Sequence, residues 1–399
     1  MGIPFVFNPY SSLLLPAFIH GLLFSGLSFA RFFKERRPYD LLFALLLLLL
    51  SARLSFWMLG FAGWYDGHDG YTTFMFYFPF NTLLWIGPCL FFYFLSLTNR
   101  DFKLSARYWP HFILPALLLI LYGGKFLIDF LVYRPFPDTE QFQYATRGPF
   151  AEWDKSEALY MVSYASLLFY FWLILRRFKD YRAYLVQHFS EPETVDLAWL
   201  RGSLIFMGAL ILVMLVFYIV GHFTVHPFYA VNWYPYFFLG IVIYYTSVNG
   251  YYNSPDLFKY LQFGQIDAGK ESKSGILPDL DLWKSSLQQL MEIEQPYLDP
   301  ELTLSLLARK LHTHPQIVSK VINDGFGLNF SDYINSMRVE AVIRQFGDKA
   351  HHRYSLMGVA YDCGFNSKTT FNRAFKKVTG DTPAAYIRLI EGSNDHLNP

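Results

Sequence analysis

His20, Arg53, Lys125 and Asp129 are ionisable side chains that lie within otherwise apolar stretches in the N-terminal part of the chain. A charged group in apolar surroundings is costly to keep, which invites a functional reading: a pocket for an anionic or polar ligand. Two blander arrangements compete with that reading. Lys125 and Asp129 are spaced to share one helix face and neutralise each other, and Arg53 can snorkel or cap carbonyls. The Asp66-Gly67-His68-Asp69 run and the His222/His226 pair hold metal-ligating residue types, but nothing keeps them in register, so no metal is expected. The two cysteines, Cys89 and Cys363, cannot make a disulfide scaffold or an all-cysteine zinc site. No Gly-rich phosphate loop, nucleophile elbow or His-Glu-x-x-His helix occurs, so the expectation is a non-enzyme without a cofactor.

The elements that must position these residues follow from the composition. The 399 residues carry 33 Lys and Arg against 32 Asp and Glu; 53% are hydrophobic and only 16% charged, too apolar for an ordinary soluble domain. The excess falls into seven runs of about the length that crosses a bilayer, roughly 17 to 25 helical residues. They are Ser12 to Ala30, Asp40 to Phe61, Thr73 to Leu97, Trp109 to Val132, Ala158 to Leu175, Gly202 to Gly221 and Val231 to Val248. The start of the chain has no charge and no cleavage pattern, so the first run is expected to stay as a helix rather than to act as a signal peptide. Trp57, Trp64, Trp109 and Trp233 near the ends of the runs suit interfacial anchoring.

Twelve basic residues occupy the breaks after runs one, three and five: Arg31, Lys34, Arg36, Arg37, Arg100, Lys103, Arg107, Arg176, Arg177, Lys179, Arg182 and Arg201. The alternate breaks offer Arg134, Arg147 and Lys155, diluted by acids. Basic residues collect on the cytoplasmic side, so the N-terminus is expected outside. Seven crossings then put everything after Tyr251 in the cytoplasm, and His20, Arg53, Lys125 and Asp129 in the outer halves of their spans.

After Val248 the texture changes. Residues 250–278 read as a linker, with a Gly- and Ser-rich stretch from Gly264 to Gly275. An amphipathic segment follows with Leu280, Trp283, Leu287, Leu290 and Met291 at helical spacing, ended by Pro296. It either packs on its own domain or pairs with a second copy as a signalling helix. Two similar helix-turn-helix patterns come next. In the first, Thr303 caps a helix with Leu304, Leu307, Ala308 and Leu311 inward, and a second helix from Pro315 turns Val318, Val321 and Ile322 inward. In the second, Ser355 caps a helix with Leu356, Val359 and Ala360 inward, Cys363-Gly364-Phe365 forms the turn, and Ser367 caps a helix that buries Phe371 and Phe375. One long helix, Ser331 to Phe346, joins them as a stiff rod, so the two heads can meet successive major grooves about 34 Å apart. From Thr303 to Arg388 twelve basic side chains face six acidic ones, enough for salt-sensitive DNA binding.

At these residues the chain resembles the AraC/XylS family of bacterial transcription regulators. The resemblance covers about 100 residues and rests on Gly364-Phe365-Asn366-Ser367, Phe371-Asn372-Arg373-Ala374-Phe375-Lys376-Lys377, then Gly380, Thr382-Pro383 and Tyr386. It implies that Lys368, Thr369, Asn372 and Arg373 of the second recognition helix face DNA, and that Gln316, Ser319 and Lys320 of the first do so. The chemistry agrees: Arg pairs bidentately with guanine, Asn and Gln with adenine, and Lys376 and Lys377 suit phosphates. The first motif departs from the pattern. His312 and His314 stand where the family has a turn glycine and a Ser-like cap, and His314 is expected to cap weakly.

The expected architecture is all-α: a seven-helix transmembrane sensor domain over 1–249, a linker over 250–278, and a double helix-turn-helix DNA-binding domain over 279–399. The expected function is a regulator anchored in the bacterial inner membrane that couples an outside or membrane signal, a small molecule or a protein, to double-stranded DNA. Dimerisation is expected without being derived. The alternative is a seven-helix transporter or membrane enzyme whose C-terminal module serves protein contacts. A third possibility is proteolytic release of the soluble portion.

Overall fold

The computed structural model describes residues 6–64, 75, 77–78, 80–128, 131, 157–223, 232–253, 261, 263, 279–347 and 355–395. Among the described residues the regular structure is helical, with isolated bridges but no β-strand. The chain divides into two compact units. One is Met1–Arg177 with Leu197–Gly264; the other is Phe178–Asp196 with Gln265–Pro399.

The first unit contains α1 (Pro9–Glu35), α2 (Pro38–Phe61), α3 (Leu83–Thr98), α4 (Pro110–Leu127), the first part of α5 (Glu157–His188), α7 (Ala198–Phe223) and α8 (Trp233–Tyr252). Asn8 and Ser11 form a reciprocal capping box that starts α1, and Pro38 sits in the first turn of α2, where its missing N–H costs nothing. Helix α1 packs along α2 and α8, and α2 also packs against α3. The buried Asp40 carboxylate is matched by Arg31, whose Nε lies 2.7 Å from Oδ1 and whose Nη1 donates to the Tyr251 carbonyl at 3.1 Å, tying α1, α2 and α8 together. Among the described residues, five helices can cross a membrane by length and composition: α1, α2, α4, α5 and α7. Their outer faces stay apolar, with Ile120 68% and Leu212 62% exposed.

Two elements differ from expectation. Helix α3 begins at Leu83 rather than Thr73; residues 80–82 are irregular, and the Thr82 hydroxyl donates to the Leu49 carbonyl at 2.8 Å. Helix α5 runs on to His188, well past Leu175, because a buried stripe of Ile174, Phe178, Tyr181 and Leu185 continues beneath its charged residues. Average hydropathy falls there while helical periodicity does not.

The second unit begins with the end of α5 and a segment from Phe189 that includes the single turn α6 (Pro192–Val195). It continues with α9 (Leu280–Ile293), α10 (Leu304–Lys310), α11 (Pro315–Phe326), α12 (Phe330–Gly347), α13 (Leu356–Asp362), α14 (Lys368–Thr379) and α15 (Pro383–Asp395). Leu287 and Met291 of α9 join the core with Leu307, Ile322, Ile334, Val342, Phe371 and Phe375, so α9 packs on its own unit. Tyr386 of α15 closes the far side, its ring 5.4 Å from that of Phe375.

Candidate nucleic-acid interface

The two helix-turn-helix motifs are built alike. Thr303 and Ser355 cap α10 and α13, their hydroxyls accepting from the Leu306 N–H at 3.2 Å and the Gly358 N–H at 3.0 Å. Each helix ends in a left-handed residue followed by a backbone bond back into the last turn. In the second motif Gly364 has φ +91° and the Phe365 N–H donates to the Ala360 carbonyl at 3.1 Å. In the first motif His312 takes φ 51° and the Thr313 N–H donates to the Ala308 carbonyl at 2.9 Å. A side chain at that φ is strained, so the first motif obtains its turn at a conformational cost the second avoids.

The recognition helices differ in the same sense. Ser367 caps α14 by accepting from the Thr370 N–H at 3.1 Å, whereas His314 makes no side-chain cap to α11. His314→Ser therefore adds about 1 kcal/mol to the first motif. Amide exchange at the start of α11 slows several-fold as a result, and unchanged exchange counts against the cap.

Helix α14 buries Thr370, Phe371, Ala374 and Phe375 and exposes Lys368, Thr369, Asn372, Arg373 and Lys376 on the opposite face. Phe371 rests against Phe365 and Phe375, with ring centroids 5.2 and 5.6 Å away, which holds the exposed face in place. On α11, Val318, Val321 and Ile322 are buried, Gln316 is exposed, and Ser319 and Lys320 are half-buried. Each set of sequence-identified residues thus shares one accessible side of a helix. Lys377 is paired with Asp332 of α12 at 2.7 Å, an exposed ion pair of small worth.

Reasoning from sequence missed a polar centre behind this surface. Arg338 of α12 is fully buried. Its Nε donates to the Tyr297 carbonyl at 2.7 Å and its Nη2 to the Asp299 carbonyl at 2.8 Å and the Ser190 hydroxyl at 3.2 Å, while Nη1 lies 3.5 Å from Glu191 Oε1. The signal was available in part: Ile334, Arg338 and Val342 share one face, at i, i+4 and i+8. Its counter-ion was not, because Glu191 comes from the segment before α7. The same carboxylate accepts from the Asn366 N–H at 2.7 Å. Burial pushes the Glu191 carboxyl above its ordinary range, against the opposing Asn366 N–H and Arg338. Burial also draws the Arg338 guanidinium down to about 10, against Glu191 and Asp299. Cys363, pushed up to about 11 by burial, is a core thiol.

Of the polar residues singled out in the first unit, His20 and Arg53 meet different tyrosines of α8. His20 stacks on Tyr244, ring centroids 4.4 Å apart, whereas Arg53 is buried and donates to the Tyr236 hydroxyl at 2.8 Å. Those tyrosines are two turns of α8 apart, about 12 Å. Arg53 also borders an apolar cavity lined by Leu50, Gly87, Tyr170 and Met207. Lys125 is buried on α4; Asp129 lies outside the described residues, as do Asp66, His68, Asp69, His226 and the His222 side chain. No group of three or more His, Cys, Asp or Glu that could hold a metal is found among the described residues.

Residues 307–389 match the family described as "Helix-turn-helix domain". Over 104 residues the chain is 28% identical to a Bacillus subtilis (strain 168) protein described as "Uncharacterized HTH-type transcriptional regulator YtdP", covering 26% of this chain and 13% of that protein. The chain thus spans well under two thirds of that relative. No solved structure matches. The C-terminal unit carries an AraC-type helix-turn-helix domain, the kind found in DNA-binding transcriptional regulators rather than in enzymes.

Proposed function

We propose that this chain is a membrane-anchored, sequence-specific transcriptional regulator that couples a membrane or extracytoplasmic signal to transcription. The seven helices of the first unit cross the bacterial inner membrane from an outside N-terminus, and the helix-turn-helix domain works in the cytoplasm, paired with a second copy. The observation that carries the DNA-reading role is the single exposed face of α14, where Lys368, Thr369, Asn372, Arg373 and Lys376 stand over buried Phe371 and Phe375. Gln316, Ser319 and Lys320 supply the second head. Arg373 and Asn372 read base edges, and the lysines hold phosphates.

Two observations support the membrane part. The long apolar helices leave broad apolar faces uncovered, which suits lipid and is costly in water. Charge asymmetry also puts the break after the fifth run on the same side as the C-terminus. Phe178–Asp196 and Gln265–Pro399 fall in one compact unit, which agrees with an even number of crossings, α7 and α8, between them. The signal is a small molecule or protein that reaches the first unit and biases the population of DNA-competent C-terminal domains. His20, Arg53, Lys125 and Asp129 are the residues to vary in seeking its site, Arg53 first because it borders the apolar cavity.

Genome-wide mapping of bound DNA tests the reading. Arg373→Ala costs about 1–3 kcal/mol at sites with a guanine under that side chain and empties them, and Asn372→Ala relaxes the neighbouring position. Occupancy unchanged in both variants overturns the regulatory reading, as does a tag fused after Pro399 that is found outside intact cells.

A further inference from the structure

The segment between α5 and α7 is seated on the DNA-reading unit by bonds at every step. Phe189 bridges Thr303, the Ser190 N–H donates to the Leu302 carbonyl, and the Ser190 carbonyl accepts from Ser331 Oγ at 3.1 Å and Asn335 Nδ2 at 3.0 Å. Glu191 then faces Arg338 and the Asn366 N–H, and Glu193 reaches α14, where Oε2 accepts from the Thr370 hydroxyl at 3.0 Å and Oε1 pairs with Arg373 Nη1. Two carboxylates thus lie at the start of the recognition helix, one of them on the arginine assigned to base reading.

We infer that Phe189–Val195 is a built-in competitor of DNA, an acidic segment that occupies the second recognition helix until the helices flanking it move. This rests on the DNA-reading role of Arg373. The guanidinium fork that holds the Glu193 carboxylate is the one that would take guanine, and a carboxylate at the start of α14 repels an incoming phosphate. The contact is also suited to release. Arg373 is 58% exposed and Glu193 32%, so their bond is weak enough for DNA to displace, while Ser190 and Glu191 hold the segment in register through buried partners. The segment is joined directly to α5 and α7, both apolar and long enough to cross a membrane, so a displacement of either helix acts on it without passing through the linker.

The test uses the full chain in lipid nanodiscs and a fluorescein-labelled pool of random duplexes of about 30 base pairs, long enough for both heads. Glu193→Gln tightens binding about three- to tenfold at low salt. The gain disappears, to within about twofold, when Arg373 is also Ala. Asp196→Asn removes the same charge without touching Arg373 and gives a smaller gain. If Arg373→Ala weakens the wild type but Glu193→Gln changes nothing, or gains no more than Asp196→Asn, the competitor is refuted and the DNA-reading role stands. If neither Arg373→Ala nor Glu193→Gln has an effect, both fall.

Discussion

Arg338→Ala lowers the local stability of the C-terminal unit by about 3–5 kcal/mol, the cost of breaking a buried, hydrogen-bonded ion pair from one side. The guanidinium is the shared partner of the Tyr297 and Asp299 carbonyls, the Ser190 hydroxyl and the Glu191 carboxylate, and no solvent reaches it. Alanine leaves the buried Tyr297 carbonyl and the part-buried Asp299 carbonyl without their donor, a carboxylate without its cation, and a cavity next to Phe365, over whose ring the guanidinium lies at 5.8 Å. Lysine does not rescue it, because one ammonium cannot replace the fork that reaches two carbonyls and a carboxylate at once. Hydrogen exchange of α12 and α14 amides in the intact protein measures the loss. Protection that survives in both variants shows that the pair contributes little.

Gly364→Ala costs about 2–5 kcal/mol, combining the left-handed penalty with steric overpacking. At φ +91° an added Cβ would stand 2.6 Å from the Tyr297 carbonyl oxygen and 2.9 Å from that of Leu298, both backbone atoms that cannot rotate away. The same methyl would press at 3.0 Å on Arg338 Nε, so the substitution also disturbs the polar centre. Gly380 supplies the control. It has φ +85° with nothing within 4 Å of its built Cβ, so Gly380→Ala carries only the conformational part, about 1 kcal/mol. Thermal unfolding followed by exchange within α13 and α14 separates the two variants, and equal costs would show that the close approach at Gly364 is relieved by movement.

The parts of this fold that were legible in the sequence are local. Thr303, Ser355 and Ser367 cap the helices assigned to them, Gly364 takes the left-handed turn, and Phe371 and Phe375 turn inward so that Asn372 and Arg373 turn outward. The weak cap at His314 was legible for the same reason, since a cap is a contact between residues three apart. What was missed lies at long separation or depends on periodicity beneath charge. The extension of α5 was hidden by its arginines, although Phe178, Tyr181 and Leu185 kept the buried stripe. Nor does any local pattern record that His20 and Arg53 meet α8 at tyrosines two turns apart.

By itself, the sequence determined the helical elements, the inward and outward faces of both motifs and the apolar character of the first unit, because spacing of 3.6 residues and neighbour-to-neighbour capping need no knowledge of the rest of the chain. Only the tertiary structure decided that Glu191 would be the counter-ion of Arg338 and that Glu193 would hold Arg373 and Thr370. Partners such as Glu193 and Thr370, 177 residues apart, meet only when assembly of the core has repaid the entropy of closing the loop between them, and no local pattern records which carboxylate arrives.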